Sequence, residues 1–429
     1  MSNSPSAIRH LQLTAMTQGG EAMGRDEGGR VVFVPYAIAG EEVVAEIVEE
    51  KKSYARARLV EIVKPSPARV TPRCTHFGPL PLTPLPSTAG EGKGCGGCQW
   101  QHIAYEAQLK FKTEIVREQF ARIGKLPDAP VRETIGMTDP WHYRNNVQFQ
   151  MDANGRLCFR ALESHALIPI QECHILHPLL DAMFHALDFG GANLDGVTLR
   201  AGTQTGQKLL ILEGRDEVAP AIAVDEAVSI AYQSPSGETV SLIGKDALHE
   251  ELRERAFRVS PASFFQVNTE MAERLVELVE RYLAPRPSDV LLDAFGGVGT
   301  FGLLLAPRVA RVIEVEENKS AVDDARANAV DLPTVEFHRG AVEEALPQSK
   351  TKIDIAVADP PRAGFAARAL DALIAHAPRA FVYVSCDPAT LARDARRLID
   401  RGYRLMETQP VDMFPQTFHI ETVSRFERR

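Results

Sequence analysis

Five apolar segments, at residues 290–293, 311–315, 335–338, 353–358 and 381–385, alternate with stretches long enough for helices, and this alternation constrains the chain more than any other feature. Strands buried on both faces and separated by helix-length crossovers build a parallel sheet. The pattern opens with a helix from residue 269, where Met271, Leu275, Leu278, Val279 and Tyr282 recur at helical spacing. Two further segments, 403–409 and 421–426, predict an antiparallel finish, so residues 263–429 are expected to form a Rossmann-like α/β domain. The first strand runs into Asp293-Ala294-Phe295-Gly296-Gly297-Val298-Gly299-Thr300. A Gly-rich loop between strand and helix lets backbone approach a ligand and turns a helix N-terminus towards it. Asp293, Phe295, Gly297 and Gly299 are therefore candidate cofactor residues, with Glu316 at the next strand end for ribose hydroxyls. Residues 297–302 also satisfy G-x-G-x-x-G, which leaves a dinucleotide open at the level of the loop alone.

A chain of 429 residues has room for about three domains. Residues 11–16, 30–34, 43–48 and 57–63 read as short strands around a Gly19-Gly20 turn, which predicts a small OB-like barrel over 1–68, ended by Pro65-Ser66-Pro67. Lys51, Lys52, Tyr54, Arg56 and Arg58 form a basic loop with an aromatic, suited either to RNA phosphate and base contact or to a solvated hairpin tip. Residues 69–262 form a mixed α+β central region, irregular and proline-rich at 79–89. It carries a helix over 108–123 and strands over 143–151 and 156–160 around an Asn154-Gly155 turn. The apolar runs are too short for a membrane span, and the first ten residues lack a secretory apolar stretch. A cytoplasmic, reduced protein without membrane partner is expected, with a monomer as default. The net charge of −9 has the wrong sign for coating nucleic acid, so RNA contacts must come from local patches.

Asp359-Pro360-Pro361-Arg362-Ala363-Gly364 follows the fourth parallel strand, at the sheet edge where open α/β sheets hold ligands, and two prolines present the carboxylate rigidly. Cys386 follows the fifth strand at a helix start, where the helix dipole is expected to lower a thiol's pKa. Gly loop, Asp359 and Cys386 thus share one edge. Four other cysteines, Cys74, Cys95, Cys98 and Cys173, suggest a metal set in a reducing compartment, and Cys158 within a strand reads as a small buried hydrophobe.

Taken together, SCDPATLARD, DPPRAG, SFFQVN at 263–268, CGGCQWQH and His419-Ile420-Glu421 resemble the RNA uracil-5-methyltransferase family over nearly the whole chain. GGEAMGR and VPYAIAGEEV resemble its N-terminal TRAM domain. The resemblance implies S-adenosylmethionine as methyl donor and an everted uridine as target. It also implies Cys386 as the nucleophile at carbon 6, Glu421 as the base removing the carbon-5 proton, and Asp359 near uracil and donor. Gln266 would contact S-adenosylmethionine and Phe264 would line the base pocket. The cysteine set would hold a [4Fe-4S] cluster, with zinc as the alternative, although the interval from Cys74 to Cys95 exceeds the compact ligand loop of relatives and reads as an insertion at 79–94. Relatives with both cluster and TRAM domain point to 23S rRNA, with tRNA as the alternative. Two other classes are weighed: a base amino-methyltransferase, which normally has an aromatic where Arg362 stands and needs no thiol, and a non-catalytic RNA-binding protein.

Overall fold

The computed structural model describes residues 8–78, 94–162, 164–189, 192–220 and 227–429. They gather into two compact units: Met1–Ile115 with Phe159–His174 and Phe414–His419, and Val116–Cys158 with Ile175–Met413 and Ile420–Arg429. The expected insertion at 79–94 lies, apart from Gly94, outside the described residues. Among the described residues no helix is long and apolar enough to cross a membrane.

The first unit opens with strands β1 (Ile8–Met16), β2 (Ala22–Arg25), β3 (Val31–Val34), β4 (Glu42–Glu50) and β5 (Tyr54–Lys64). They close a barrel in the order β1-β2-β3-β5-β4, as the short-strand pattern predicts. Period-two burial fills it: Leu11 and Leu13, Val32 and Val34, Val43 and Ala45, Ala55 and Ala57 all point inward. Strand β2 escapes a sequence reading because it is four residues long and contains Gly24, whose missing side chain admits the Gln12 carbonyl; a Cβ there would lie 2.5 Å from that oxygen. The basic loop is shorter than expected, since Tyr54, Arg56 and Arg58 belong to β5. Register sets Arg56 opposite Glu49 and Arg58 opposite Glu46. Arg58 pairs with Glu46, Arg56 with Glu21, and Lys51 with Glu49 at 3.0 Å, so much of the positive charge is balanced locally. Helix α1 (Tyr105–Arg122) follows, its residues to Ile115 counted with this unit and those from Val116 with the second. Before it, fully buried Trp100 donates its indole N–H to Gly20 O at 2.9 Å. Gln108 and Gln416 exchange hydrogen bonds of 3.0 and 3.1 Å, which ties residues 414–419 into this unit.

In the second unit β6 (Asn146–Met151) and β7 (Leu157–Arg160) form the expected hairpin. Asp152 Oδ1 accepts from the Asn154 and Arg156 amides, and Gly155 takes φ of 76°. Strand β8 (Leu167–Pro169) falls in the first unit. After α2 (Pro178–Ala186) come β9 (Leu194–Ala201), β10 (Lys208–Gly214), β11 (Ser229–Gln233) and β12 (Thr239–Ile243), giving the order β12-β11-β10-β9-β6-β7. A separate hairpin, β13 (Leu248–Leu252) and β14 (Arg255–Val259), leads to α3 (Thr269–Leu283). Asn268 caps α3 by accepting from the Met271 amide, and the predicted apolar face is buried.

The remaining chain is the expected doubly wound sheet: β15 (Val290–Ala294), α4 (Thr300–Leu305), β16 (Arg311–Glu316), α5 (Lys319–Asn328), β17 (Val335–Arg339), α6 (Val342–Ala345), β18 (Ile355–Ala358), α7 (Ala367–His376), β19 (Ala380–Ser385), α8 (Pro388–Asp400), β20 (Tyr403–Val411) and β21 (Glu421–Arg428). The order is β17-β16-β15-β18-β19-β21-β20, with β21 antiparallel to both neighbours. Strand order reverses beside β15, which places the ligand crevice at the carboxyl ends of β15, β16 and β18.

Residues 260–268 reach this edge on a buried polar anchor. Asp324 of α5, fully buried, pairs with Arg258 and accepts from Ser260 N, Ser260 Oγ and Ser263 Oγ at 2.6–2.7 Å. Removing this carboxylate takes the acceptor from Ser260 N and from two seryl hydroxyls, while half-buried Arg258 keeps its ion pair with Asp246 at 2.8 Å. Asp324→Ala is expected to cost about 1–3 kcal/mol in denaturant unfolding for the buried donors it strands, and a loss below about 0.5 kcal/mol would show that residues 260–263 hold themselves.

Candidate active site

The Gly-rich loop is strained in the way a ligand cradle requires. Phe295, Gly297 and Gly299 take φ of 62°, 61° and 90°. Phe295 N donates to Val315 O at 2.9 Å, which fixes the loop to the next strand end. Glu316 accepts from the Gly297 amide through Oε2 at 3.1 Å and from Asn318 N through Oε1 at 2.7 Å. Asp293, fully buried, accepts from Gly302 N through Oδ2 at 2.6 Å, while its Oδ1 is buried without a partner among the described residues. Burial, above the charges of Asp359 and Glu316, pushes Asp293 above the ordinary carboxylate range. A buried carboxyl with an open oxygen beside bare backbone is what a ligand with hydroxyl and amino groups can complete.

Helix α8 builds the opposite wall. Asp387 caps it, accepting from Ala389 N and Thr390 N. Thr390 Oγ1 donates to Arg362 O at 3.3 Å, and Arg393 Nη2 donates to Ala363 O at 3.0 Å. Fully buried Asp394 accepts from Phe365 N at 3.0 Å and from Tyr383 OH at 3.2 Å. The helix following Cys386 thus clamps the Asp359–Phe365 loop, which is why the two sequence motifs occur together. Asp359 Oδ2 accepts from Gln266 Nε2 at 3.3 Å, and Asn145 Nδ2 holds Gln266 O at 3.0 Å. Phe295 meets Phe365 edge-on, with centroids 5.5 Å apart.

Cys386, Asp359 and Glu421 lie within electrostatic reach of one another. Burial first, then the charges of Glu421 and Asp359, push the Cys386 thiol up to about 12, against a smaller pull from Arg362. The expected lowering at the helix start is outweighed by this burial and these charges, while two first-turn amides donate to Asp387. Burial also raises Glu421 and Asp359, Glu421 further by the charge of Asp359. Glu421 Oε1 is buried without a partner among the described residues.

Of the other candidates, Phe264 is 65% exposed beside Gln266 and presents an open aromatic face. Sequence reading missed Asn145, Asp324, Asp394 and Glu314. Glu314, on β16 beneath the loop, has both carboxylate oxygens buried and unpartnered among the described residues, and a Cβ at Gly296 would lie 2.5 Å from its Cγ. Two acidic residues spaced by two on a strand share a face, which was the available signal.

In the first unit, Cys74, Cys95, Cys98 and Cys173 are free thiols within electrostatic range of one another. Burial and their mutual charge raise Cys95 and Cys98. Gly97 N donates to Cys95 Sγ at 3.3 Å. Among the described residues no three His, Cys, Asp or Glu side chains stand in ready ligating geometry. Cys158 is buried, its Sγ donating to Arg156 O at 3.4 Å, in keeping with a core role.

Comparison with known proteins aligns with this geometry. The tRNA (Uracil-5-)-methyltransferase family model matches residues 235–429, and the TRAM domain model residues 11–60. An uncharacterized RNA methyltransferase of Caldanaerobacter subterraneus is 32% identical, covering 97% of both chains. One of Listeria innocua is 35% identical over 98% of this chain and 97% of its own. Among solved structures, the tRNA (uracil-54, C5)-methyltransferase of Pyrococcus abyssi in complex with S-adenosyl-L-homocysteine superposes with a TM-score of 0.75 at 25% identity, over 97% of this chain and all of that one.

Proposed function

The chain belongs to the RNA uracil-5-methyltransferase family of S-adenosylmethionine-dependent enzymes, and we propose that it methylates carbon 5 of a uridine in 23S rRNA through a covalent adduct on Cys386. The observation that carries this reading is strand register: Ser385 pairs with Thr422, which sets Cys386 beside Glu421, and β18, which leads into Asp359, runs between β19 and the strand of the Gly-rich cradle, with the three side chains in electrostatic range. Asp293, Phe295, Gly297, Gly299, Glu316 and Gln266 are the residues we assign to the methyl donor. S-adenosylmethionine supplies an electrophilic methyl on a sulfonium. Everything else falls to the chain.

Carbon 5 of uracil is a weak nucleophile. Addition of the Cys386 thiolate to carbon 6 forms a sulfur–carbon bond and moves the ring's π electrons towards oxygen 4, giving an enolate whose carbon 5 takes the methyl group. Asp359, steadied by Gln266, faces the pyrimidine edge and accepts the N3 hydrogen. Glu421 then removes the carbon-5 proton, and the electron pair left behind expels the thiolate. The target base must leave its stack to enter this crevice, so loops and single strands are the preferred substrate.

Because the resting thiol is held neutral, with its value raised, the thiolate fraction grows about tenfold per pH unit below that value. The single-turnover rate is therefore expected to climb from pH 6 to pH 9 without levelling at neutrality. A plateau by pH 7 would mean that substrate binding, not deprotonation, sets the active thiolate.

For the four-cysteine set of the first unit we propose an iron–sulfur cluster, held by Cys74, Cys95, Cys98 and Cys173. The donor set fits in its chemistry: four soft thiols, Cys98 buried and the other three half-buried, with Cys95 already receiving an amide N–H. Its contribution there would be a cross-link of an irregular segment. Anaerobic reconstitution followed by iron, sulfide and zinc analysis separates cluster from zinc.

The deciding experiment incubates the purified protein with labelled S-adenosylmethionine and unmodified 23S rRNA or tRNA transcripts, then maps 5-methyluridine by nuclease digestion and mass spectrometry. Label at an rRNA uridine supports the reading. Label in tRNA alone would favour the second reading, which the likeness to the Pyrococcus abyssi enzyme supports. Methyl groups on adenine, or none, would overturn both.

A further inference from the structure

Outside the crevice, the strands β11, β10, β9 and β6 of the second unit carry a groove of about 290 Å3, lined among others by Arg144, Asn146, Gln148, Thr198, Arg200 and Gln233. Alternation explains its chemistry. Val147 and Phe149 are buried on one side of β6, while Asn146 and Gln148 face the other, opposite Arg200 and Thr198 of β9. What distinguishes this face from an ordinary solvated one is its pair of guanidinium groups. Arg200 Nη1 donates to Ser260 O at 3.1 Å and Ser263 O at 2.9 Å, but its Nε is buried without a partner, and no carboxylate lies within 4 Å among the described residues. Arg144 spends only Nε, on Asn146 O at 2.7 Å. The single acid of the groove, Glu213, is already engaged by Gln148 and Thr198 at 2.7 and 3.0 Å. By contrast, the larger cavity of about 460 Å3 near Arg286 has its Arg379 and Lys352 neutralised by Asp289 and Asp354.

The groove adjoins the active site through two short connections. Asn145, between Arg144 and Asn146, turns to the opposite side and donates to Gln266 O, and Gln266 donates to Asp359. Pro261 lies on the groove, and three residues on stands exposed Phe264. We propose that the groove receives the nucleotide adjacent to the target uridine, with Phe264 as the stacking surface between the two. Guanidinium groups supply donors to phosphate or base acceptor atoms, and Asn and Gln amides read base edges, as in single-strand recognition elsewhere. This inference rests on the assignment of RNA as substrate.

The test uses a short RNA containing the uridine that the wild-type protein methylates, with 4-thiouridine placed in turn on either side of it. Cross-links from one flanking position to peptides holding residues 144–148 or 198–200 are expected. The Gln148→Ala/Gln233→Ala double variant and Arg144→Ala are expected to raise KM for RNA about tenfold, with the single-turnover rate at saturating RNA within about twofold and S-adenosylmethionine binding retained as evidence of folding. Unaltered KM, or cross-links from both flanking positions to other peptides only, overturns the groove while methylation itself stands. A wild-type protein that methylates no RNA overturns the assignment of substrate and this inference with it.

Discussion

Cys386→Ala is expected to abolish methyl transfer, a loss of about 10^4-fold or more, while S-adenosylmethionine still binds within about twofold of the parent affinity. The size follows from chemistry rather than from packing. Without sulfur at carbon 6 nothing turns carbon 5 into a nucleophile, and no other thiol stands at this edge among the described residues. Retained binding follows from structure: the loop bearing Asp293 and Gly297 is held by Val315, Glu316 and Gly302, none of which depends on Cys386. Cys386→Ser should be as inactive, since a buried hydroxyl ionises less readily than a thiol. Single-turnover kinetics and calorimetry on the same preparation check both halves. Turnover within tenfold of the parent would remove the covalent mechanism and revive the amino-methyltransferase reading, which needs no thiol.

Much of this site was legible in the sequence because its parts are local. The Gly-rich loop, Asp359 and Cys386 each follow an apolar strand, and strands of one parallel sheet bring their carboxyl ends to one edge whatever lies between. The barrel was legible for a similar reason, short alternating strands with turn residues, although β2 was too short and Gly-bearing to register. What the sequence did not disclose depends on partners far along the chain. Nothing in the local pattern marks Asp324 or Asp394; it is burial that shows one anchoring residues 260–263 and the other holding the Asp359–Phe365 loop. The direction of the Cys386 shift was misread because proximity to a helix start was counted, and the burial of the thiol and the carboxylates of Glu421 and Asp359, brought from elsewhere in the chain, were not. The basic segment was overcounted, since strand register sets its arginines against glutamates. Periodicity reports which face a residue occupies, not which charge stands opposite it.

The second large effect separates the two halves of the reaction. Glu421→Gln is expected to lower steady-state turnover about 10^2- to 10^4-fold and to leave protein and RNA joined in a complex that survives denaturing electrophoresis, carrying one methyl group per protein. The buried Glu421 carboxyl has an oxygen that no described residue uses, and it lies within reach of both Cys386 and Asp359. Burial raises its proton affinity, so that once ionised it is a stronger base towards a carbon–hydrogen bond than an exposed carboxylate. Glutamine keeps the shape but cannot take that proton. Addition and methylation proceed, elimination stalls, and the sulfur–carbon bond persists. Glu421→Asp should restore part of the release rate, because it retains a carboxylate on a shorter stem. The Cys386→Ala/Glu421→Gln double variant should form no complex and be no slower than Cys386→Ala alone, since a base for the last step cannot matter when the first never occurs. Freely dissociating methylated RNA from Glu421→Gln, at a rate near that of the parent, would assign the proton to another group, and Asp359, the other raised carboxyl within reach of Cys386, would be the one to replace next.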